Sequence, residues 1–376
     1  MGETCLPGGR NAKIGPMGID LLFAPRDWER LERDWTAWWE GELERPLVMI
    51  EGRVPCSGEG AAELAPEKVF TSEFPLETPV DEVLDHYQAH LERRYFHGDA
   101  WPRWWPNFGP GIAAGFLGAK VHPVPGTVWF EPVELGPIEK LELVHDTGNP
   151  WWERVSALTR RAVERWESQV TVGHTDLGGN LDILASLRTT EQLLFDVSDA
   201  PGEVARLIGE ATRFWLRYYD ELHSIIQRGE RGTTPWAPIW SPGRCYMLQS
   251  DFAYMISPQM FERFVLPDLA ACCEKLDHGF YHLDGKGQIK HLDMLLSLER
   301  LRGIQWIPGD GQPQAEGWLP LLKRIRDGGK RCQVYVTAKG AQTIVREIGG
   351  RGFALFVVNW MSPTEAQDFL RSLEVG

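Results

Sequence analysis

The chain has 376 residues and a formal net charge of −14, with 43% hydrophobic and 24% charged residues. These proportions are typical of a globular protein that buries a large core. The acidic excess argues against a nucleic-acid-binding surface and against an anionic membrane as partner, because both favour clustered Lys and Arg.

Signals for export or membrane insertion are also missing from the sequence. No apolar run approaches the roughly 20 residues that span a bilayer, and the first residues lack the apolar core of a signal peptide. The six cysteines are scattered and form neither a CxxC zinc pattern nor a disulfide ladder. We therefore expect a cytoplasmic protein.

The chain predicts a flexible tail over residues 1–18 and a single domain over residues 19–376. Apolar residues at helical spacing predict helices at 27–44, 76–94, 151–169, 182–194, 201–229, 258–276, 318–327 and 362–373, and another that follows the strand ending at 337 and extends to 348. Short apolar runs predict strands near residues 46, 100, 170, 236, 279, 303, 332 and 353. For the fourth strand two runs compete, 235–240 and 246–250, and only one of them is a strand.

Helices separate nearly all of these eight runs, which is the pattern of an α/β protein with a closed (β/α)₈ TIM barrel. The rival is an open doubly wound sheet, but the usual dinucleotide fingerprint follows no early strand. The N-terminal helix and a Pro-rich, strand-like insertion at about 113–134 would decorate the barrel.

Parallel strands deliver the side chains after their carboxyl ends to one edge, so polar groups at these positions are candidate site residues. They include Arg53, Asn107, His174, Asp176, Trp240, Asp251, His282, Asp284, Thr337 and Asn359. We take His282, Asp284, His174, Asp176 and Arg53 as candidate catalytic residues, and Asp251, Asn107, Thr337 and Asn359 as candidate substrate contacts.

Two His-x-Asp pairs stand out, because residues two apart on a strand face the same way. His282 and Asp284 suit a divalent metal, zinc or another, or a proton-transfer pair. The plainer alternative is a packed His282 and an Asp284 that caps the following helix. His174 and Asp176 repeat the spacing, and there a turn-stabilising Asp before Gly-Gly is equally compatible.

Tryptophan is abundant, with 17 residues, and several lie at predicted strand ends. Trp105, Trp240, Trp306 and Trp360 could stack on a planar or sugar-like ligand, whereas residues such as Trp35 and Trp38 are expected in the core. A glycosidase with two facing carboxylates is a rival chemistry. The prominent acids Asp176 and Asp284 each follow a histidine by two residues, and this arrangement favours metal binding or proton transfer instead.

Four segments resemble the uroporphyrinogen decarboxylase superfamily: YHLDGKGQIKHLDMLL, IQWIPGDG, DLGGNLDILASLRTTEQLLFDVSDAPGEV and DFAYMISPQMFERFVLPDL. The resemblance implies a (β/α)₈ barrel with its site in the mouth. It also implies decarboxylation of tetrapyrroles, or zinc-dependent methyl transfer between corrinoid proteins and thiols.

The sequence departs from both patterns. The arginine-rich RQAGRY-like motif of the decarboxylases is reduced to Arg45 and Arg53 in ERPLVMIEGRVP. The methyltransferases hold zinc through His-x-Cys and a further Cys, whereas here Asp284 stands in the first thiol position and Asn359 or Trp360 closes the last strand. Such a centre would be harder than a thiolate site.

The leading hypothesis is therefore methyl transfer on a small organic ligand, linked to a corrinoid on a partner protein, with His282 and Asp284 as metal ligands. One alternative is a metal-free decarboxylase in which Arg53 neutralises a substrate carboxylate and Asp176 steadies positive charge. Another is a barrel that only binds a ligand. The oligomeric state is open, with a homodimer as one expectation.

Overall fold

The computed structural model describes residues 19–54 and 64–373, so the predicted tail lies outside the described residues. The strands are β1 Leu47–Arg53, β2 Arg94–Gly98, β3 Arg103–Trp104, β4 Lys120–Val124, β5 Thr127–Glu131, β6 Thr171–Val172, β7 Cys245–Leu248, β8 His278–Asp284, β9 Leu301–Ile307, β10 Arg331–Val336 and β11 Phe353–Val357.

Helices alternate with the strands over most of the chain. They are α1 Pro25–Glu40, α2 Val80–Leu91, α3 Ala113–Phe116, α4 Pro150–Trp166, α5 Asn180–Arg188, α6 Thr190–Asp199, α7 Pro201–Ile226, α8 Pro258–Phe264, α9 Leu266–Cys273, α10 Leu292–Ser297, α11 Leu319–Asp327, α12 Ala338–Ile348 and α13 Pro363–Ser372. Single helices predicted at 182–194 and 258–276 each divide into two. The second division precedes Pro267, which has no N–H to bond the carbonyl four residues earlier and whose ring clashes with that carbonyl.

The main sheet has the order β2-β1-β11-β10-β9-β8-β7. Every neighbouring pair in it is parallel except β1 and β2. A separate parallel pair joins β3 to β6, and β4 and β5 form an antiparallel hairpin. The fold is therefore mixed α/β around a parallel sheet, although the ladders among the described residues do not close into one eight-stranded ring.

The largest correction to the predicted strands concerns the fourth. The strand is Cys245–Leu248, while residues 235–240 form a loop closed by an antiparallel bridge between Thr233 and Ser241. Pro235 and Pro238 explain the difference, because proline has no N–H to donate to a ladder.

The strand predicted near residue 100 also differs. Two strands flank that position instead: β2, which ends at Gly98 and pairs antiparallel with β1, and the two-residue β3. The chain turns between them at Gly98, whose φ of 64° favours glycine. Buried Asp99 then fixes the turn, because its carboxylate accepts hydrogen bonds from Arg45 and from the Val48 N–H.

Helix α1 closes the amino end of the sheet interior. It begins at Pro25 and ends at Glu40, and the Gly41 that follows has a left-handed φ of 81°. Its buried face consists of Trp28, Leu31, Trp35, Trp38 and Trp39. These side chains pack with residues such as Leu47, Met247 and Phe280 in one core cluster. The N-terminal tryptophans are therefore core residues, as their helical spacing predicts.

Strand β8 shows how the sheet positions polar groups. Tyr281 and Leu283 belong to the core cluster that includes the helices, while Phe280 belongs to the cluster that α1 covers. Side chains alternate along a strand, so His282 and Asp284 lie on the same face as Phe280. That face is the interior of the sheet, and His282 and Asp284 stand at its open, carboxyl end.

Candidate metal centre

Three side chains that can bind a metal meet at the carboxyl end of β7 and β8. His282 and Asp284 are on β8, and Asp251 begins the short 3₁₀ turn Asp251–Tyr254 after β7. One ligand atom of each lies within 4.8 Å of the other two. His282 Nε2 is 3.8 Å from Asp284 Oδ2. His282 and Asp284 are two positions apart in the sequence, whereas Asp251 is 31 positions before His282, so the fold brings distant segments together.

Asp182, near the start of α5, holds Asp251 in place. Its carboxylate accepts hydrogen bonds from the backbone N–H of Asp251 at 2.9 Å and of Phe252 at 2.8 Å. Burial raises the pKa of Asp182 well above its usual value, and the charge of Asp251 adds to that rise. Asp182 was not among the sequence-predicted site residues, since it reads as an ordinary first-turn acid of a helix.

Negative charge is concentrated around Asp251. Burial raises the pKa of Asp251; His282 opposes this rise and Asp284 adds to it. The ionised forms of crowded carboxylates repel one another, and a bound cation relieves that repulsion. The electrostatics of the cluster therefore favour a positively charged occupant.

A row of buried amides lies beside His282 in the sheet interior. His282 Nδ1 is hydrogen-bonded to Gln305 Oε1, and Gln305 Nε2 donates to Gln333 Oε1. Both glutamines are fully buried. Sequence reasoning missed them, although an isolated Gln in each of two apolar strands is a signal that it could have used.

Trp236 completes the surroundings of His282. Its ring meets the imidazole edge to face, with the ring centroids 5.1 Å apart at 75°. Its indole N–H is buried and has no hydrogen-bond partner among the described residues. A buried unpaired donor is uncommon, and beside a cluster of ligands it is a candidate substrate contact.

Asp176 lies close to this cluster without joining it. Its Oδ1 accepts a hydrogen bond from the Gly178 N–H at 2.8 Å and one from Gln249 Nε2 at 3.3 Å. Burial raises the pKa of Asp176 to about 7, with Asp251 contributing to the rise. Asp176 can therefore hold or release a proton near neutral pH.

His174 lies apart from the other candidates, on the side of the helices. Its ring is fully buried and stacks on Tyr219 of α7 at 4.4 Å and 10°, nearly parallel to His223 further along α7. Neither ring nitrogen has a hydrogen-bond partner in the described part of the chain. Burial lowers the pKa of His174 well below its usual value. The structure does not bring His174 to His282.

Arg53, Trp105 and Asn107 line a different cavity, of about 340 Å³, beyond β1 and β3. Arg53 forms an ion pair with Glu67, which also binds Arg94 at 2.6 Å. Asn107 braces its own loop, because it donates to the Val69 carbonyl and accepts from the Gly109 N–H. Arg53 is thus already paired with an acid.

The five remaining sequence-predicted contacts are dispersed. Trp240 is buried at the end that α1 covers, where its carbonyl accepts from Trp39 Nε1. Trp306 is buried on the helix side against Trp318, with centroids 5.1 Å apart. Trp360 is 66% exposed.

The last two candidates, Thr337 and Asn359, form hydrogen bonds with the amino end of α12. Thr337 accepts from the Gly340 N–H, and Asn359 accepts from the Ala338 N–H. Both side chains therefore cap or brace the first turn of the helix.

A cavity of about 670 Å³ opens beside Asp251, between the β4–β5 hairpin and α5. Trp129 and Phe130 of the hairpin and Phe252 and Met255 after β7 line it. The charged side chains among its described lining residues are all acidic, namely Glu131, Asp182 and Asp251. No pattern in the sequence indicates that the Pro-rich insertion forms one of its walls.

The donor set of Asp251, His282 and Asp284 fits a divalent metal. Zinc takes imidazole and carboxylate ligands at about 2.0–2.2 Å, which separates ligand atoms by roughly 3.3–3.6 Å in a tetrahedral site. The three ligand atoms lie within 4.8 Å of one another, so the side chains would have to close around the ion to reach that spacing. One nitrogen and two carboxylates form a harder site than thiolates do, so manganese or iron is also compatible.

None of the helices in residues 19–54 and 64–373 is long and apolar enough to cross a membrane.

Comparisons with known proteins address the fold. No protein-family model matches the chain. No curated protein matches it in sequence. A methyltransferase from Methanosarcina mazei has a similar solved structure, with a TM-score of 0.54 and 13% identity over 91% of this chain and 97% of the other. Nearly the whole chain therefore shares the fold of that protein.

Proposed function

We propose that this chain is a methyltransferase-type enzyme that holds one divalent metal ion with Asp251, His282 and Asp284. In this proposal the parallel strands form a (β/α)₈ barrel of the uroporphyrinogen decarboxylase superfamily, with the metal at its mouth. The observation that carries the proposal is the convergence of three ligand atoms within 4.8 Å at the carboxyl ends of two strands. The likeness in fold to a methyltransferase supports the choice of reaction.

The residues around the centre have distinct tasks in this account. Asp182 orients Asp251 through the backbone of the turn. A bound divalent ion lowers the pKa of a coordinated thiol or hydroxyl and so makes it a better methyl acceptor. Asp176, whose pKa is raised to about 7, takes up the proton that is released.

The cavity beside Asp251 is the proposed substrate site. Its volume of about 670 Å³ suits a small organic molecule, and its aromatic side chains offer apolar contacts to it. Trp236, with its unpaired indole N–H, supplies a hydrogen bond on the other side of His282. The methyl donor in this proposal is a corrinoid on a separate protein.

The cysteines support a cytoplasmic setting for this chemistry. Cys245, Cys272, Cys273 and Cys332 are buried free thiols. Burial raises the pKa of Cys332, so the reactive thiolate is disfavoured. A thiol acceptor in the reaction is therefore proposed to come from the substrate.

Metal analysis combined with a methyl-transfer assay tests the proposal. Metal-stripped protein is titrated with Zn²⁺ and with Mn²⁺, and turnover is followed with methylcobalamin and a panel of small thiols. We expect one ion per chain and loss of both binding and turnover in the Asp251→Asn/Asp284→Asn double variant. Turnover that persists after chelation, with no ion bound by the wild type, would overturn the proposal.

A further inference from the structure

His282, Gln305 and Gln333 occupy one level of three adjacent strands. In the register of the sheet, His282 of β8 is paired with Gln305 of β9, and Gln305 is paired with Gln333 of β10. Their side chains therefore project from neighbouring positions on the same face. Three polar residues side by side in the interior of a sheet need hydrogen bonds to one another.

The hydrogen bonds along this row have a direction. Gln305 Nε2 donates to Gln333 Oε1, which leaves Gln305 Oε1 to face His282 Nδ1. A carbonyl oxygen only accepts, so Nδ1 carries the hydrogen. In the neutral imidazole the other nitrogen, Nε2, then has a free lone pair. That nitrogen is the one that faces Asp284.

The two directions differ in which donor is left without a partner. In the observed direction it is Gln333 Nε2, at the end of the row away from the candidate metal ligands. If both amides were reversed, His282 would carry its hydrogen on Nε2, with the Asp284 oxygen 3.8 Å away. This separation exceeds the 2.7–3.2 Å range of N–H···O hydrogen bonds. In the observed direction Nδ1 is satisfied, and Nε2 presents a lone pair to a space bordered by carboxylates, which suits a cation.

We propose that Gln305 is a positioning residue that holds His282 as the Nδ1–H tautomer, so that Nε2 is the metal ligand. This inference rests on the proposed metal centre. Gln305 has no access to solvent, so water does not replace its contact with the ring. Gln333 fixes the orientation of the Gln305 amide from the far side. Outer partners of this kind orient a ligand imidazole and raise its basicity.

Nuclear magnetic resonance of metal-free protein with ¹⁵N-labelled histidine tests the tautomer directly. His282 is assigned by comparison with His282→Asn, and its two ring nitrogens are read at pH 8. We expect protonated Nδ1 and unprotonated Nε2 in the wild type. A wild-type ring protonated on Nε2 would overturn the inference without requiring any variant at position 305.

Two variants of similar size separate positioning from packing. Gln305→Met removes the acceptor, and we expect mixed tautomers and a metal affinity that falls by about 10–100-fold. Gln305→Glu keeps an oxygen acceptor and should retain the Nδ1–H form. Unchanged tautomers in Gln305→Met would overturn the inference. A wild type with the expected tautomer that binds no metal would support Gln305 positioning while overturning the proposed metal function.

Discussion

The two His-x-Asp pairs have the same spacing in the sequence and opposite surroundings in the fold. His282 and Asp284 both lie within the seven-residue strand β8, and their facing atoms are 3.8 Å apart. His174 and Asp176 follow β6, which covers only Thr171–Val172. The chain beyond it is irregular, so His174 stacks under α7 while Asp176 turns toward Gln249.

The difference teaches that the side-chain alternation rule holds only where the strand continues. Along β8 the period of two brings residues 282 and 284 to one face. After β6 the paired strand stops and only single backbone hydrogen bonds remain, such as that from the His174 N–H to the Thr234 carbonyl, so the alternation of side chains is not maintained. A two-residue spacing is therefore a site signal only when both residues are inside the paired strand.

The largest expected effect comes from removing the imidazole of the first pair. His282→Ala should weaken metal binding by more than about 100-fold, since loss of outer-shell partners alone costs 10–100-fold. Calorimetric titration with Zn²⁺ measures it. His174→Phe is the matched control in the second pair, and its metal affinity should equal that of the wild type. Equal losses in both variants would remove the contrast between the two pairs.

A smaller effect is expected at Asp182, which acts on the candidate metal centre only by accepting hydrogen bonds from the backbone of the turn that begins at Asp251. Asp182→Ala leaves the N–H groups of Asp251 and Phe252 without their acceptor, so metal affinity should fall by about 10-fold. Asp182→Asn retains one acceptor oxygen and should lose less. The same titration compares them, and wild-type affinity in Asp182→Ala would contradict the positioning of Asp251 by Asp182.

The second pair should affect stability and its pH dependence. His174 is buried as the neutral ring with a lowered pKa, so the unfolded chain binds more protons below about pH 6.5 and stability is lost as the pH falls. His174→Phe keeps a stacked ring and removes the unpaired nitrogens. The free energy of unfolding of the variant, relative to the wild type, should rise by up to about 1.4 kcal/mol per pH unit below that point.

Urea unfolding of both proteins between pH 7.5 and 5.5 measures this difference. The other histidines remain in both proteins, so the comparison isolates His174. A difference that stays constant with pH would show that His174 is not buried in its neutral form.

The smallest effect is expected at Arg53, in the separate cavity. Its ion pair with Glu67 is more than half exposed on the arginine side, so Arg53→Ala should cost less than about 1 kcal/mol of stability. Metal affinity should be unchanged. Loss of turnover with metal binding intact, and turnover that survives chelators in the wild type, would instead favour the metal-free decarboxylase.

The sequence by itself determined much of the element order. Helical spacing predicted α1 with its buried tryptophans, and the alternation of apolar runs predicted the parallel strands from β8 to β11. It also brought His282 and Asp284 forward as candidates, because one continuous strand contains both. These are local properties, set by side-chain periodicity and by the residues that end each element.

Only the tertiary structure decided which distant groups meet. Asp251 reaches His282 because Asp182 anchors its turn, and Gln305 and Gln333 meet His282 because of strand register. Trp240 and Trp306 proved to lie at the closed end and under a helix, since irregular loops and outward-facing strand positions leave no reliable pattern in the sequence. Contacts between remote segments depend on how whole elements pack, and that packing is not encoded in any single stretch of the chain.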